Sequence, residues 1–320
     1  MKLLTIAMTV GIIFVTSCSG FARERTPEFL SARRRGGDAR IVLKAVDDVG
    51  NPVAGASIHV LMGMNYRLKS YDIDGLTDTN GVFVVEGKTT GNEIEITAKK
   101  DGYYRPSKKR LCFIAMGNEY EVKDGKWQPW GMEIPLVFRE VRNPVKLISK
   151  VDGYMIPATN CWIGFDMELM DWNHEGHGGK VTDFEVNLDW DGKPIYETDR
   201  MVLNVRFPGK HSGFYVANRI KGCTFGGVYH ADTNRRYENR CLSTSTKMRK
   251  GDYQYTGYDP DVIMVARTRC KEDSRGNLVA MNYSTLYGIV VDGGWRGECE
   301  MRVKYKFNPT PNDTNLEPKR

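Results

Sequence analysis

Five histidines stand among the 320 residues, and two of them fall in Asn173-His174-Glu175-Gly176-His177-Gly178-Gly179. Imidazoles three residues apart converge on a metal when a helix stacks them, and the three glycines here oppose a helix. The spacing is not His-Glu-x-x-His, so the zincin arrangement of two ligands with a base between them is missing. A surface loop is the favoured reading, and no metal ligand is assigned. Asp72, Asp74, Asp78 and Asn80 offer hard oxygens at alternate positions, as calcium prefers, yet the spacing is not that of an EF-hand and turn formation explains each residue. Nucleophilic catalysis needs a Ser or Cys with a His and an orienting group, and no Gly-x-Ser-x-Gly elbow is present. Carboxylate pairs such as Asp166 with Glu168, or Asp189 with Asp191, suit glycoside hydrolysis only at a set separation, and such pairs are more often surface charge. No catalytic residue and no cofactor is assigned.

Aromatic and sulfur side chains are more suggestive. Trp172, Trp190 and Trp295 sit beside Asp or Gly in turn-like contexts: Asp171-Trp172-Asn173, Asp189-Trp190-Asp191 and Gly294-Trp295-Arg296. An exposed indole flanked by hydrogen-bonding side chains suits a sugar ring, whose C–H face stacks while its hydroxyls bond. Two readings compete: rings that cap the ends of a sandwich or cover disulfides, and a recognition surface made of Trp172 and Trp190 with His174 and His177. Besides Cys18 there are Cys112, Cys161, Cys223, Cys241, Cys270 and Cys299. An even set in an oxidising compartment implies disulfides, at least two of them, and sequence does not choose the pairing. Cys223 with Cys241 is the best single pair. Cys161, beside Trp162 and Ile163, has a buried free thiol as its alternative.

The elements that must position these residues are strands. Ile41 to Val46, Ser57 to Met62, Val82 to Val85 and Glu93 to Ala98 alternate with period two, and Ile58, Val60 and Met62 share one face. Asp48 to Pro52 and Asp78-Thr79-Asn80-Gly81 read as turns, Asn-Gly supplying positive φ angles. After Arg142-Asn143-Pro144, a linker, further strands are expected at Phe184 to Leu188, Met201 to Phe207, Val262 to Arg267, Leu286 to Val291 and Met301 to Phe307. No amphipathic helix longer than about two turns is expected. Short strands at this spacing mean an all-β chain.

Three motifs carry a resemblance. Asp48-x-Gly50-Asn51-Pro52-Val53-Ala54-Gly55-Ala56, then Thr77-Asp78-Thr79-Asn80-Gly81-x-Phe83, then Lys100-Asp101-Gly102-Tyr103 resemble the carboxypeptidase regulatory-like domain. The likeness spans about residues 40 to 105. It implies a seven-stranded, transthyretin-like sandwich of accessory character and no catalytic residue. The second half resembles uncharacterised exported proteins with a Gly-Phe-Asp-x-x-x-x-Asp-Trp element, here Gly164 to Trp172, and a Pro-Asn-Asp-x-Asn-Leu-Glu tail, here Pro311 to Glu317. At the other end, Met1-Lys2, an apolar run from Leu3 to Val15, and Thr16-Ser17 before Cys18 form a signal segment too short to span a bilayer comfortably. Val15-Thr16-Ser17-Cys18 resembles the lipobox of bacterial lipoproteins. That implies cleavage before Cys18 and acylation there, palmitate included, and two or more chains make an anchor stable. Ser19 in place of Asp favours the outer membrane.

The expected layout is then signal 1–17, lipidated flexible tether 18–39, carboxypeptidase regulatory-like sandwich 40–140, a second β-rich domain 141–310 and an extended tail 311–320. The net charge of +6 draws on Arg23, Arg25, Arg33, Arg34, Arg35 and Arg40. An exported chain whose basic run lacks interleaved aromatics is not a nucleic-acid binder. A solvated tether near anionic head groups accounts for them, as does a plain spacer. The expected function is a non-catalytic cell-envelope lipoprotein with a structural or binding role, its partners the membrane through the lipid and either a polysaccharide or another envelope protein. A carbohydrate-binding surface protein is the alternative, and a hydrolase with an unrecognised site the third.

Overall fold

The computed structural model describes residues 26–64, 68–115, 121–193, 197, 200–249, 252–293 and 298–319. The signal segment, Cys18 and Trp295 lie outside the described residues. The chain is all-β, 52% strand against 4% helix.

Alternation builds the first sandwich. Gly37–Val46 is the centre of one sheet, antiparallel to Val82–Thr89, with Leu43 opposite Phe83, and parallel to Met132–Val137, with Leu43 opposite Ile134. The facing sheet runs Tyr71–Leu76, Ser57–Met62, Glu93–Lys99, Lys109–Cys112 in that order. These are the seven longer strands, and a ribbon of Val122–Lys123 with Lys126–Trp127 extends the first sheet. Because successive side chains point to opposite faces, Ile41, Leu43 and Ala45 meet Ile58, Val60, Met62, Ile94 and Ile96, all at 1% exposure or less. Asp47 and Asp78 close the two turns, each accepting two backbone N–H groups, Val49 and Asn51 in one and Asn80 and Val82 in the other. Asp72 and Asp74 lie on an edge strand beside His59, with Asp74 at 2.9 Å, so they do not form a calcium loop with Asp78 and Asn80.

The tether expected over 18–39 is corrected from Thr26 onward. Thr26 caps a helix, Pro27–Arg35, by accepting the Phe29 N–H, and Pro27 opens it at the position where a missing N–H costs nothing. Phe29 and Ala32 are buried, and the Phe29 ring meets Trp127 edge-on at 5.9 Å. Arg33 donates to Asn92 at 2.8 Å, and Gly36 at φ +88° turns the chain into the first strand. In the sequence this apolar pair is followed by three consecutive arginines, which read as a solvated run.

The second unit packs two antiparallel sheets. One is ordered Ile148–Met155, Cys299–Asn308, Leu278–Gly293, Val262–Glu272, Gly213–Asn218. The other is ordered Asp171–Asn173, Ile163–Asp166, Phe184–Asp189, Met201–Arg206, Leu242–Arg249, Asp252–Thr256. Between them lie Phe165, Phe184, Val186, Leu203, Phe207, Val291, Met301 and Tyr305.

The units interlock. Arg139, 4% exposed, donates to Asp48 at 2.8 Å on its own side and to the carbonyls of Phe225 and Gly227 on the other. Its guanidinium lies 4.5 Å from the Phe225 ring centre and 4.4 Å from that of Tyr229, a planar cation between two π faces. Ser107 N–H reaches Gly222 O and Thr224 N–H reaches Arg105 O, so backbone crosses the seam too. The tail, expected to be extended, is fixed against the body. Leu316 is fully buried, Asn315 donates to Asn143 O at 2.6 Å, and the Glu317 carboxylate accepts the N–H groups of Arg142 and Asn143.

Candidate ligand-binding groove

The surface expected from Trp172 and Trp190 with His174 and His177 is not formed. Trp172 is 2% exposed, at the centre of the short strand Asp171–Asn173, where alternation turns it inward against Phe165, ring centres 5.2 Å apart. Trp190 is 7% exposed and spends its indole N–H on the Lys193 carbonyl at 2.9 Å. Both belong to the core of the second sandwich. His174 and His177 stay outside on an exposed loop, ring centres 6.3 Å apart, and His177 is taken by Asp171 at 3.1 Å. The surface-loop reading of these histidines agrees with the structure.

The disulfide expectation is overturned. Cys112, Cys161, Cys223, Cys241, Cys270 and Cys299 are all free. Cys223 is buried at the seam, its Sγ 3.5 Å from the Arg105 carbonyl, whereas Cys241 is exposed, so that pair is not made. Cys299 is buried against the Met201 sulfur at 3.5 Å, and Cys161 is a free thiol but an exposed one. Seam contacts occupy Cys223 and apolar packing Cys299, while Cys161 and Cys241 face solvent.

Asp166 and Glu168 do not face a cleft as an acid and base. Arg269 holds both, and it also grips Asp183 bidentately at 2.9 Å through Nε and Nη2. Asp166 further accepts the N–H groups of Glu168, Leu169, Lys180 and Val181. Burial would raise its pKa, but these donors and Arg269 outweigh burial and hold it below the ordinary carboxylate range. At Asp183 burial wins and the pKa is raised. This cluster ties the two sheets together and explains the Gly164 to Trp172 element structurally. Asp189 and Asp191 are exposed, Asp191 pairing with Lys193 at 3.3 Å.

The structure does assemble a different aromatic site. A groove of about 580 Å³ runs along the second unit, where Tyr255, Tyr258 and Tyr287 meet Asp292, Glu300 and Arg302. Tyr255 donates its hydroxyl to Asp292, and Arg302 reaches the same carboxylate at 2.7 Å from the far side. The rings of Tyr255 and Tyr258 stand edge to face, 6.4 Å apart. Gly288, at φ +118° where the register with the neighbouring strand shifts, leaves room for Tyr258, and a Cβ there would collide with that ring. Gly153 likewise makes space for Glu300. Ring faces beside a fixed carboxylate and guanidinium can stack on the C–H side of a sugar and bond its hydroxyls. Sequence reasoning missed this site because it followed tryptophan. The available signal was Gly288 inside an apolar strand, which marks a bulge or a close approach.

No protein-family model matches the chain, and no curated protein matches it. Among solved structures it is similar to chlorocatechol 1,2-dioxygenase from Pseudomonas putida, over 33% of this chain and 61% of that one, with 15% identity and a TM-score of 0.26. The chain therefore spans less than two thirds of the dioxygenase. It is also similar to the shaft pilin spaA from Lactobacillus rhamnosus GG, over 88% of this chain and 95% of that one, with 9% identity and a TM-score of 0.24. At these TM-scores neither likeness bears on fold or function.

Proposed function

We propose that the chain is a non-catalytic lipoprotein of the cell envelope, held to the outer membrane through lipid on Cys18, whose two sandwiches act as one rigid structural or binding body. The observation that carries this reading is the interlocked seam, where Arg139 bridges Asp48 to the Phe225 and Gly227 carbonyls and Glu317 clamps the linker. A brace or presenting module needs fixed geometry between its parts, and buried charged hydrogen bonds supply it. The lipobox resemblance at Val15 to Cys18 supports the anchor. Labelling with a fatty-acid analogue and fractionation test it: the wild type takes up label and pellets with outer membranes, and Cys18→Ala remains folded but soluble. Absence of label from the wild type refutes the anchor.

A second reading, a carbohydrate-binding surface protein, is favoured by the tyrosine groove. Tyr258→Ala and Tyr255→Phe should reduce retention on immobilised envelope polysaccharides with melting temperatures kept. Equal retention of both variants and the wild type removes that reading.

A further inference from the structure

The seam between the sandwiches encloses a second feature, which shares no residue with the tyrosine groove. A cleft of about 570 Å³ opens there, and its charged lining is Lys99, Lys100, Asp101, Arg105, Lys306 and Lys319. Through Lys99, Arg105 and Thr224 it continues into a hollow of about 550 Å³ walled by His59 and Lys108. Two of these cations are satisfied internally, Lys100 by the Ala54 carbonyl and Lys108 by Glu95. Among the described residues, Lys99, Arg105, Lys306 and Lys319 have no ion pair, and Asp101 is the one carboxylate on the cleft wall.

Lys306 is the telling member. It projects from the strand Cys299–Asn308 with its ammonium 5.0 Å from the Phe225 ring centre and 5.8 Å from that of Tyr287. Burial, with Lys304 and Arg139 adding like charge against a small opposing effect of Cys223, pushes its pKa down to about 8. A cation in that position destabilises the fold unless something neutralises it. Converging unneutralised cations around an open cleft focus a positive potential that attracts anions.

We infer that the seam cleft binds an acidic oligosaccharide, its anionic groups seated on Lys306, Arg105, Lys99 and Lys319. The two joined hollows fit an extended chain. The buried Phe225 and Tyr104 offer no free ring faces, which nucleobases need, and the wall has no exposed apolar anchor, which a folded protein partner needs.

The test uses the detergent-solubilised full chain with three probes: polygalacturonate bearing carboxylates, dextran sulfate bearing sulfate esters, and neutral dextran. At least one acidic polymer binds and neutral dextran does not, and the polymer that binds identifies carboxylate or sulfate as the recognised group. Lys306→Met weakens that binding by about tenfold or more while its melting temperature stays level or rises. Arg105→Gln, at an exposed position, weakens it as well, and Tyr258→Ala leaves it unchanged. Wild-type binding declines from about pH 7 to about pH 9, and binding by Lys306→Met does not. The inference is overturned by equal binding of neutral dextran, by silence towards both acidic polymers, or by wild-type affinity in both Lys306→Met and Arg105→Gln. Loss of the Cys18 anchor or of groove binding would leave these results as they are.

Discussion

Glu317 accepts the backbone N–H of Asn143 at 2.7 Å across 174 residues of sequence, and the N–H of Arg142 at 2.8 Å beside it. One carboxylate thus closes the linker between the sandwiches. Glu317→Ala removes both charge-assisted bonds and should cost about 1.5–3 kcal/mol. Urea denaturation measures the loss, and proteolysis near residues 141–146 should quicken. An unchanged midpoint would show that the tail rests on the seam without holding it.

Trp172 is a core residue whose buried indole N–H has no acceptor among the described residues. Trp172→Ala should therefore cost about 3–5 kcal/mol through the cavity it leaves. Trp172→Phe keeps most of the ring and deletes the unpaired donor, so it should fall within about 1.5 kcal/mol of the wild type. Thermal melts decide between this and a binding role, in which both variants would keep stability and lose retention on a polysaccharide.

The six thiols should separate by exposure. Cys161 and Cys241 react with an aromatic disulfide reagent in the folded protein, and Cys223 and Cys299 react only on unfolding. Burial reinforces this by pushing the Cys299 thiol up to about 11 and raising that of Cys223, so little thiolate is present. A Cys223–Cys241 peptide in a non-reduced digest would contradict it.

Lys306 gives the stability a pH dependence of definite sign. Its folded pKa of about 8 lies below the ordinary 10.5, so between those values the unfolded chain binds more protons and stability rises with pH. Below about pH 8 the whole penalty is present. Lys306→Met removes it and should melt higher than the wild type at neutral pH, with the difference shrinking as pH rises through that window. A variant that melts lower across the whole range would show that the lysine stem, and not its charge, matters there.

The sequence by itself determined what depends on neighbours along the chain. Strands such as Ser57–Met62 are legible because period-two alternation is a local property, and the turns at Asp48 to Pro52 and Asp78 to Gly81 because Asn, Gly and Pro set the backbone locally. Strands with weaker patterns were missed: Tyr71–Leu76 is an exposed edge, and Ile163–Asp166 is buried on all four residues and so does not alternate. The tertiary structure decided the fate of side chains whose environment comes from distant segments. Trp172 and Trp190 have turn-like neighbours in sequence but lie inside once two sheets close over them. Six cysteines of even count are free because the fold sends them to different places, Cys299 against Met201 and Cys223 against Tyr104 inside, Cys161 and Cys241 at the surface. The seam follows the same rule. Arg139, Glu317 and Lys306 are ordinary charged residues in the sequence, and their roles arise only where elements far apart in the chain enclose them and water can no longer screen their charge.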